Sequence, residues 1–289
     1  MTKKLTVLYN KTLGWQFILA ISISVLLLTN CKKEGSNSNP ECEILKPAEG
    51  DIYLPGEEIT ISINASDPEG KLKKVDLYIN DQLAYTFYDA PYEINWKSWG
   101  VPLGDYSIKV MAIDETGKET DKLVNIKLKS GIAYDNILFG LDLGALEYYG
   151  KATTTSWNFD ITLLSGSVIS NNIGNVIFLE AFSPSSTDLV PGEYNFDAFG
   201  TGALNTFDYS DFAINYDFNT SNGISGKAVS GHLIIDKSGN IYKIFINTMT
   251  NTGKPLNAYY EGSLQYIDRS VSPGKSKILK DRNIFNLTH

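Results

Sequence analysis

The fold is decided by residues 67–81, which read DPEGKLKKVDLYIND and contain a turn, a strand and a second turn. The first turn, Asp67 to Gly70, combines a proline with its fixed backbone φ and a glycine that tolerates left-handed conformations. From Val75 to Ile79, apolar residues occupy every second position, so one face of an extended chain is apolar. Asn80-Asp81 then marks the second turn. The stretch predicts a half-buried β-strand bounded by turns.

The same period of two recurs on both sides of this stretch. It continues at Ile59, Ile61 and Ile63, and again at Tyr106, Ile108, Val110 and Ala112. The runs are separated by further turns at Leu54-Pro55-Gly56, Pro102-Leu103-Gly104 and Asp114-Glu115-Thr116-Gly117. About seven short strands with turns between them are typical of an antiparallel β-sandwich. We therefore predict one such domain over residues 41–130.

Three segments of this domain resemble the bacterial Ig-like domains that are appended to many exported proteins: Asp67–Asp81, Ala90–Trp96 and Gly104–Gly117. The resemblance covers nearly all of residues 41–130, and it implies an Ig-like β-sandwich with Trp96 as a core aromatic. Domains of this kind are commonly spacers and sometimes adhesive. Because one fold serves many functions, the resemblance does not assign a function.

Residues 131–268 form a second region that is also predicted to be β but has a different composition. It contains five Lys plus Arg against fourteen Asp plus Glu. Apolar residues alternate at Trp157, Phe159, Ile161 and Leu163, at Phe212, Ile214, Tyr216 and Phe218, and at Tyr242, Ile244 and Ile246. The region has no amphipathic helix of useful length. Roughly eight strands are expected, in a second antiparallel sandwich or a barrel. The predicted fold class is all-β, with two antiparallel β domains in tandem.

This second region is similar to a domain found in uncharacterised Bacteroidetes lipoproteins. The similarity is carried by Val190–Tyr194, Val229–Ile235, Ile241–Ile244 and Tyr260–Leu264. It implies a fold and a cell-envelope compartment, and no activity is attached to it.

The first thirty residues predict an export signal. Lys3, Lys4 and Lys11 precede an uncharged run from Phe17 to Leu28, which is the order of a signal peptide. The run is shorter than the ~20 residues that a membrane-spanning helix needs. We therefore expect its removal, with an uncleaved anchor helix or a plain secretory signal as the alternatives.

Leu28-Thr29-Asn30-Cys31 follows this run and resembles the lipobox of bacterial lipoproteins. The resemblance implies cleavage before Cys31 and attachment of a diacylglyceryl group and a further acyl chain, such as palmitate, to that residue. Two or three acyl chains anchor a protein stably to a membrane. Residues 31–40 are polar and predict a flexible tether. We expect the protein on the outer membrane, exposed at the cell surface or facing the periplasm.

Charge and cysteine content exclude several classes of protein. Without the leader the chain has 22 Lys plus Arg against 33 Asp plus Glu, a net charge of −11. Nucleic acid is therefore not an expected partner, because binding it requires a basic surface. If Cys31 is acylated, Cys42 has no cysteine left to pair with. Residues 269–289 are basic, and we expect a solvated, disordered tail.

No catalytic or metal site is predicted, nor any cofactor. Only two histidines exist: His289 ends the chain, and His232 lies in a predicted strand. Zinc needs a cluster of Cys, His or carboxylate ligands, and no such spacing occurs. Asp67, Glu69, Asp114 and Glu115 are interpreted as turn residues rather than calcium ligands. No pair of carboxylates is marked for glycoside hydrolysis, so we do not expect an enzyme.

The functional prediction is a non-catalytic binding module, with a glycan as the ligand class. Sugar rings stack on exposed aromatic side chains, and the chain has four Trp and seventeen Tyr. The candidate ligand-binding residues are Trp99, Tyr148 and Tyr149. One alternative is a structural or assembly role with an envelope protein partner, in which the Ig-like domain is a spacer and edge strands add to the partner's sheet. A glycan hydrolase with an unmarked acid pair is the other.

Overall fold

The computed structural model describes residues 37–70 and 72–271. Within them the chain forms nineteen strands and a single short helix, α1 (Gly166–Asn171). The prediction of an all-β fold is confirmed. Cys31 and the export signal lie outside the described residues, as does most of the basic tail.

The first eight strands form two facing sheets, which we call the sandwich. A three-stranded antiparallel sheet has the order β1 (Glu41–Lys46), β3 (Glu58–Ser66), β6 (Tyr92–Lys97). A five-stranded sheet has the order β2 (Ile52–Tyr53), β8 (Glu119–Leu128), β7 (Gly104–Asp114), β4 (Leu72–Ile79), β5 (Gln82–Phe87). Strand β2 runs parallel to β8, and the other pairs are antiparallel.

The predicted alternation explains the sandwich core. Ile59 and Ile61 of one sheet and Val75 and Leu77 of the other are buried in one cluster. Burial of such side chains stabilises the fold by roughly 1.5–3 kcal/mol each. Trp96 packs at the edge of this cluster and lies 5.5 Å from the Tyr106 ring.

Cys42 is buried in the sandwich as a free thiol. Its Sγ donates a hydrogen bond to the Thr120 carbonyl at 3.3 Å. Burial raises the pKa of the thiol. This cysteine therefore behaves as a small core residue.

The remaining strands form one eleven-stranded sheet, which we call the barrel. In chain order these are β9 (Gly131–Tyr134), β10 (Ile137–Gly140), β11 (Leu143–Lys151), β12 (Trp157–Leu164), β13 (Ile173–Ser183), β14 (Gly192–Phe196), β15 (Thr206–Asp217), β16 (Asn222–Ser238), β17 (Ile241–Thr250), β18 (Pro255–Ser263) and β19 (Gln265–Asp268). Their order in the sheet is β10-β9-β18-β17-β16-β14-β15-β13-β12-β11-β19. Only Leu264 separates β18 from β19, which pairs with β11 in parallel, so the sheet closes on itself.

The barrel has more strands than the roughly eight expected for an antiparallel barrel. The difference lies in short strands that carry little alternation: β9, β10 and β19 have four residues each and β14 has five. Two pairings, β14 with β15 and β11 with β19, are parallel rather than antiparallel. The predicted apolar faces of β12 and β17 do line the barrel core.

One predicted face is wrong. Phe212 and Ile214 point into the barrel core, but the alternation does not continue to Tyr216 and Phe218. Asn215 has a positive φ of 45°, and the pairing with β16 changes register after Ile214. Phe218 packs instead against a separate small cluster that includes Val168 of α1.

The start of the described chain is attached to the sandwich. Asn37 Nδ2 donates to Asp114 Oδ2 at 2.5 Å, and Ser38 Oγ donates to Glu69 Oε1 at 2.6 Å. The last residues of the predicted tether thus bind two turns of the sandwich. No helix in residues 37–70 or 72–271 is long and apolar enough to cross a membrane.

Candidate functional site

A groove lies between two loops of the sandwich and the outer face of the barrel. The sandwich loops connect β2 to β3 and β6 to β7, and the barrel strands are β16, β17 and β18. Its volume is about 270 Å³. The lining residues are Leu54, Pro55, Gly56, Glu57, Trp99, His232, Ile234, Phe245, Ile246, Asn247, Asn257 and Ala258.

Two rows of side chains on neighbouring barrel strands form one wall. Register places His232 opposite Asn247, and Asn247 opposite Asn257. The next row contains Ile234, Phe245 and Tyr259. Their neighbours along the strands, such as Leu233, Ile244 and Ile246, belong to the barrel core. Because side chains alternate between faces, both rows point outward.

The opposite wall is held together by Ser98, a fully buried residue at the end of β6. Its hydroxyl donates to the Glu57 carbonyl at 2.8 Å and accepts the Gly56 N–H at 3.0 Å. Its backbone N–H also donates to the Glu57 carbonyl, at 3.2 Å. These bonds fix the two sandwich loops to each other and so determine where Trp99 lies.

Trp99 bridges the two walls. Its indole stacks on Phe245 with 4.3 Å between ring centroids and 25° between planes. A Cβ added to Gly56 would lie 3.1 Å from Trp99 Cε3, so the loop backbone also packs closely on the indole. Trp99 nevertheless remains 56% exposed. The residue therefore combines a fixed position with a large apolar surface open to solvent.

The ring of Phe245 packs against the ring of Tyr259, its partner on the neighbouring strand β18. The two rings are 4.5 Å apart, and Tyr259 is buried. The Tyr259 hydroxyl donates to Glu261 Oε2 at 2.5 Å. Burial raises the pKa of Tyr259, and its hydrogen bond with Glu261 raises it further. The backbone N–H of Glu261 donates to Ser130 Oγ, at the connection between sandwich and barrel.

Glu57 is the carboxylate of the groove lining. Burial raises its pKa, and this outweighs the hydrogen bond that its Oε2 accepts from the Leu54 N–H at 3.0 Å. That bond closes the turn between β2 and β3. Glu57 therefore has a structural role in shaping the loop.

The structure separates the three aromatic residues that the sequence singled out. Trp99 lines the groove, whereas Tyr148 and Tyr149 lie on β11 and do not. Tyr148 packs against the barrel core, with its ring 5.1 Å from Phe159. Tyr149 is on the other face, and its hydroxyl donates to Glu147 Oε2 at 2.7 Å.

Sequence reasoning missed Phe245, Asn247 and Asn257. The sequence does contain a signal for the position of these residues, because Gly239 and Gly253 mark hairpin turns. In the structure both glycines have positive φ angles, of 59° and 79°. Counting outward from those turns places His232, Asn247 and Asn257 in one row, since hairpin register is fixed by the turn. Nothing in the sequence shows which loop of the sandwich faces that row.

The acidic turns considered for calcium are engaged in local hydrogen bonds. Asp114 accepts the Thr116 and Lys118 N–H groups, both at 2.8 Å, and binds Asn37. Desolvation raises the pKa of Asp114, but these hydrogen bonds outweigh it and lower the pKa to about 2. In the part of the chain that the structure describes, no three His, Cys, Asp or Glu residues are grouped to hold a metal ion.

Comparison with known proteins identifies a bacterial Ig domain at residues 40–110. No curated protein matches the chain. Fibronectin(III)-like modules of Clostridium thermocellum CbhA are 27% identical, covering 31% of this chain and 97% of theirs, with a TM-score of 0.28. SGBP-B from the mixed-linkage glucan utilization locus of Bacteroides ovatus, solved with a mixed-linkage heptasaccharide, is 13% identical. The matched region covers 80% of this chain and 71% of the SGBP-B chain, with a TM-score of 0.25.

Proposed function

We propose that the protein is a lipid-anchored cell-envelope lipoprotein that binds a neutral glycan, without catalysis, in the groove between sandwich and barrel. The observation that carries this proposal is Trp99, which is stacked on Phe245 and still more than half exposed. A large apolar ring held rigidly at the mouth of a groove is a binding surface for the flat, apolar face of a sugar ring.

The groove also offers the polar groups that sugar hydroxyls require. The amides of Asn247 and Asn257 each provide donors and an acceptor, and the imidazole of His232 adds ring nitrogens that can form hydrogen bonds. Binding sites typically combine an apolar lining with a few such groups that fix orientation. The volume of about 270 Å³ is slightly below the roughly 300–1,000 Å³ of ligand pockets. We therefore expect a short part of a chain to be bound.

The groove chemistry favours binding over hydrolysis. Glycosidases use two carboxyl groups roughly 5–9.5 Å apart. Among the described residues that line the groove, Glu57 is the one acid, and its carboxylate closes a turn. A neutral ligand is expected because none of the described lining residues is a lysine or arginine that could pair with an anionic sugar.

The proposed lipid anchor determines on which side of the membrane the groove is presented. Acyl chains on Cys31 would hold the protein on the outer membrane, and the sandwich would lie between lipid and barrel. The groove would then face material outside the membrane, either at the cell surface or in the periplasm. An envelope protein that docks on the same surface is the competing function, because exposed aromatic residues also serve protein interfaces.

The test is a glycan array with the mature protein, covering plant, host and microbial glycans, followed by calorimetry with each hit. Trp99→Ala should weaken binding at least tenfold, which is about 1.4 kcal/mol and the order of an aromatic stacking contact. Trp99→Phe should retain part of the affinity. Tyr88→Ala is the control, because Tyr88 is an exposed sandwich aromatic outside the groove.

Two outcomes would contradict the proposal. The absence of binding to any glycan would favour docking of an envelope protein instead. Binding that is equally strong in Trp99→Ala and wild type would place the ligand elsewhere on the molecule.

A further inference from the structure

A row of four polar residues crosses the outer wall of the barrel, and only three of them line the groove. The four strands that carry it are hydrogen-bonded in the order β14-β16-β17-β18. Register places Asn195 of β14 opposite His232 of β16, His232 opposite Asn247 of β17, and Asn247 opposite Asn257 of β18. We call these four residues the polar row.

Asn195 extends the polar row by one strand beyond the groove. Its neighbours on β14 point the other way, because Tyr194 is fully buried in the barrel core and Phe196 packs against that core. Since side chains alternate between the faces of a strand, Asn195 faces outward, and it is exposed. The groove lining on this side ends at His232 of β16. Asn195 therefore lies beside the groove rather than in it.

The side chains of the polar row keep their hydrogen-bonding groups available. Within the part of the chain that the structure describes, they form no hydrogen bond with one another or with other residues. The row ends on β15 at Thr206, which pairs with Asn195 and whose hydroxyl already donates to the Ala203 carbonyl at 2.7 Å. Each asparagine amide offers two donors and an acceptor. A ligand can therefore bond to the row without breaking a hydrogen bond inside the protein.

The spacing of the polar row suits a chain of sugars. Neighbouring strands lie about 4.8 Å apart, so the four positions span roughly 14 Å. The strand spacing is close to the length that one pyranose ring adds to an extended glycan chain. A glycan that crosses the strands can therefore place successive sugar residues over successive side chains of the row.

Apolar side chains border the polar row on both sides. On one side Trp99 stacks on Phe245, which lies two residues before Asn247 on β17. On the other side Met249 lies two residues after Asn247 and is 41% exposed. A sugar residue carries hydroxyl groups at its edge and C–H groups on its faces. A line of polar groups with apolar borders offers partners for both.

We propose that the polar row binds about three or four consecutive residues of an unbranched, neutral glycan that runs across the strands from Asn257 to Asn195. This inference rests on the glycan-binding function proposed for the groove, and it adds Asn195 as a binding residue outside the groove lining. Glu193 lies two residues before Asn195 on the same face and is exposed. Its carboxylate would repel a sugar acid, which favours a neutral chain.

Calorimetry with oligosaccharides of graded length tests this inference on the mature protein. The probes are gluco-, manno- and xylo-oligosaccharides and every linear glycan that binds on the array, each as a series from the disaccharide to the hexasaccharide. The affinity of the wild type should rise up to the tetrasaccharide and then level off, because the row has four positions. An affinity that does not rise beyond the disaccharide would overturn the inference.

Asn195→Ala should weaken binding of the tetrasaccharide by about two- to tenfold, which is the range of one neutral hydrogen bond. It should leave the affinity for the disaccharide unchanged, because a disaccharide held at Trp99 does not reach β14. Trp99→Ala should weaken binding at every length. Asn240→Ala is the matched control, since Asn240 is an exposed asparagine in the turn between β16 and β17, outside the row.

NMR spectra of protein labelled with ¹⁵N at asparagine provide a direct readout. The tetrasaccharide should shift the side-chain NH₂ signals of Asn195, Asn247 and Asn257, whereas the disaccharide should leave that of Asn195 in place. The signal of Asn240 should not move with either probe.

The possible failures can be told apart. If Asn195→Ala binds every length as the wild type does, or is weakened equally at every length, the polar row is not the path of the chain. Glycan binding in the groove would then still stand. If no glycan binds on the array or in any series, the function proposed for the groove fails, and this inference fails with it.

Discussion

Trp99 shows how a single exposed ring can be made rigid. Exposed aromatic side chains are ordinarily mobile, yet this one is fixed by Phe245 on the barrel and by the backbone of Gly56 on the sandwich. Ser98 holds the loop that carries Trp99 against the loop that carries Gly56. The ring position is therefore a property of two loops and one strand together.

Gly56→Ala should disturb the groove more than an ordinary glycine substitution. Gly56 has a φ of 93°, and an added Cβ would meet Trp99 Cε3 at 3.1 Å. Gly117→Ala is the matched control, because Gly117 has a φ of 89°, lies outside the groove, and an added Cβ would meet nothing within 4 Å. Both variants should lose roughly 1–2 kcal/mol of unfolding free energy from backbone strain.

Only Gly56→Ala should also shift the Trp99 ring, lowering glycan affinity and changing tryptophan fluorescence. Urea unfolding and calorimetry measure the two effects. Equal affinity in both variants would show that Gly56 does not position the indole.

Asp114 predicts a specific acid sensitivity. Its folded pKa of about 2 lies below its ordinary 3.8, so the folded state favours the charged carboxylate. The stabilisation is fully present above about pH 4 and is lost as the pH falls through the folded pKa. Asp114→Asn should therefore be less stable than wild type at pH 6, and the difference should shrink towards pH 2.

Melting curves between pH 6 and pH 2 measure this difference, with Asp89→Asn as the control for an exposed turn carboxylate. A Tm difference between Asp114→Asn and wild type that is constant over this range would contradict the assignment.

At the scale of elements, strands with one polar face were predictable and strands with unusual pairing were not. β3 alternates because one face meets the sandwich core, and the predicted apolar positions of β4 and β7 enter the same core. Burial in β4 and β7 is less regular, since Asp76 and Asp114 are buried as well. β12 is buried on both faces for most of its length. The alternation of apolar residues in its sequence predicted only one buried face. The break of β15 at Asn215 depends on pairing with β16, which is a tertiary effect.

The candidate site was predictable only in part. Trp99 stood out as a loop tryptophan, and His232 as a residue on a sheet face. The row containing His232, Asn247 and Asn257 follows from hairpin register. The stack of Trp99 on Phe245 joins the sandwich to the barrel. Packing between such distant segments leaves no periodic trace in a single sequence.

The β9–β10 turn tests the importance of left-handed turn residues. Asp135 and Asn136 both have positive φ, 54° and 62°, as a two-residue hairpin loop requires. Asn136→Gly should be neutral or slightly stabilising, since glycine adopts this conformation without strain. Asn136→Val should cost roughly 1–2 kcal/mol. Urea unfolding distinguishes the variants, and equal midpoints would argue against this turn geometry in solution.

For the whole molecule, the anchor is the decisive prediction. Cys31→Ala should move the protein from the membrane fraction to the soluble fraction, because no acyl chain can be attached. Cys42→Ala is the matched control and should stay with the membrane, since Cys42 is a core thiol of the sandwich. Fractionation followed by immunoblotting measures both. Retention of Cys31→Ala in membranes would favour an uncleaved anchor helix.

The closure of the barrel has a consequence for how the chain must fold. β11 receives its second neighbour only from β19, where Ala145 pairs with Gln265. A chain that emerges N-terminus first completes the sandwich while this last pairing partner has not yet been made. Until Gln265 to Asp268 arrives, β11 has an open edge that other chains could join. The pairing of β19 with β11 is therefore also the step that removes a route to aggregation.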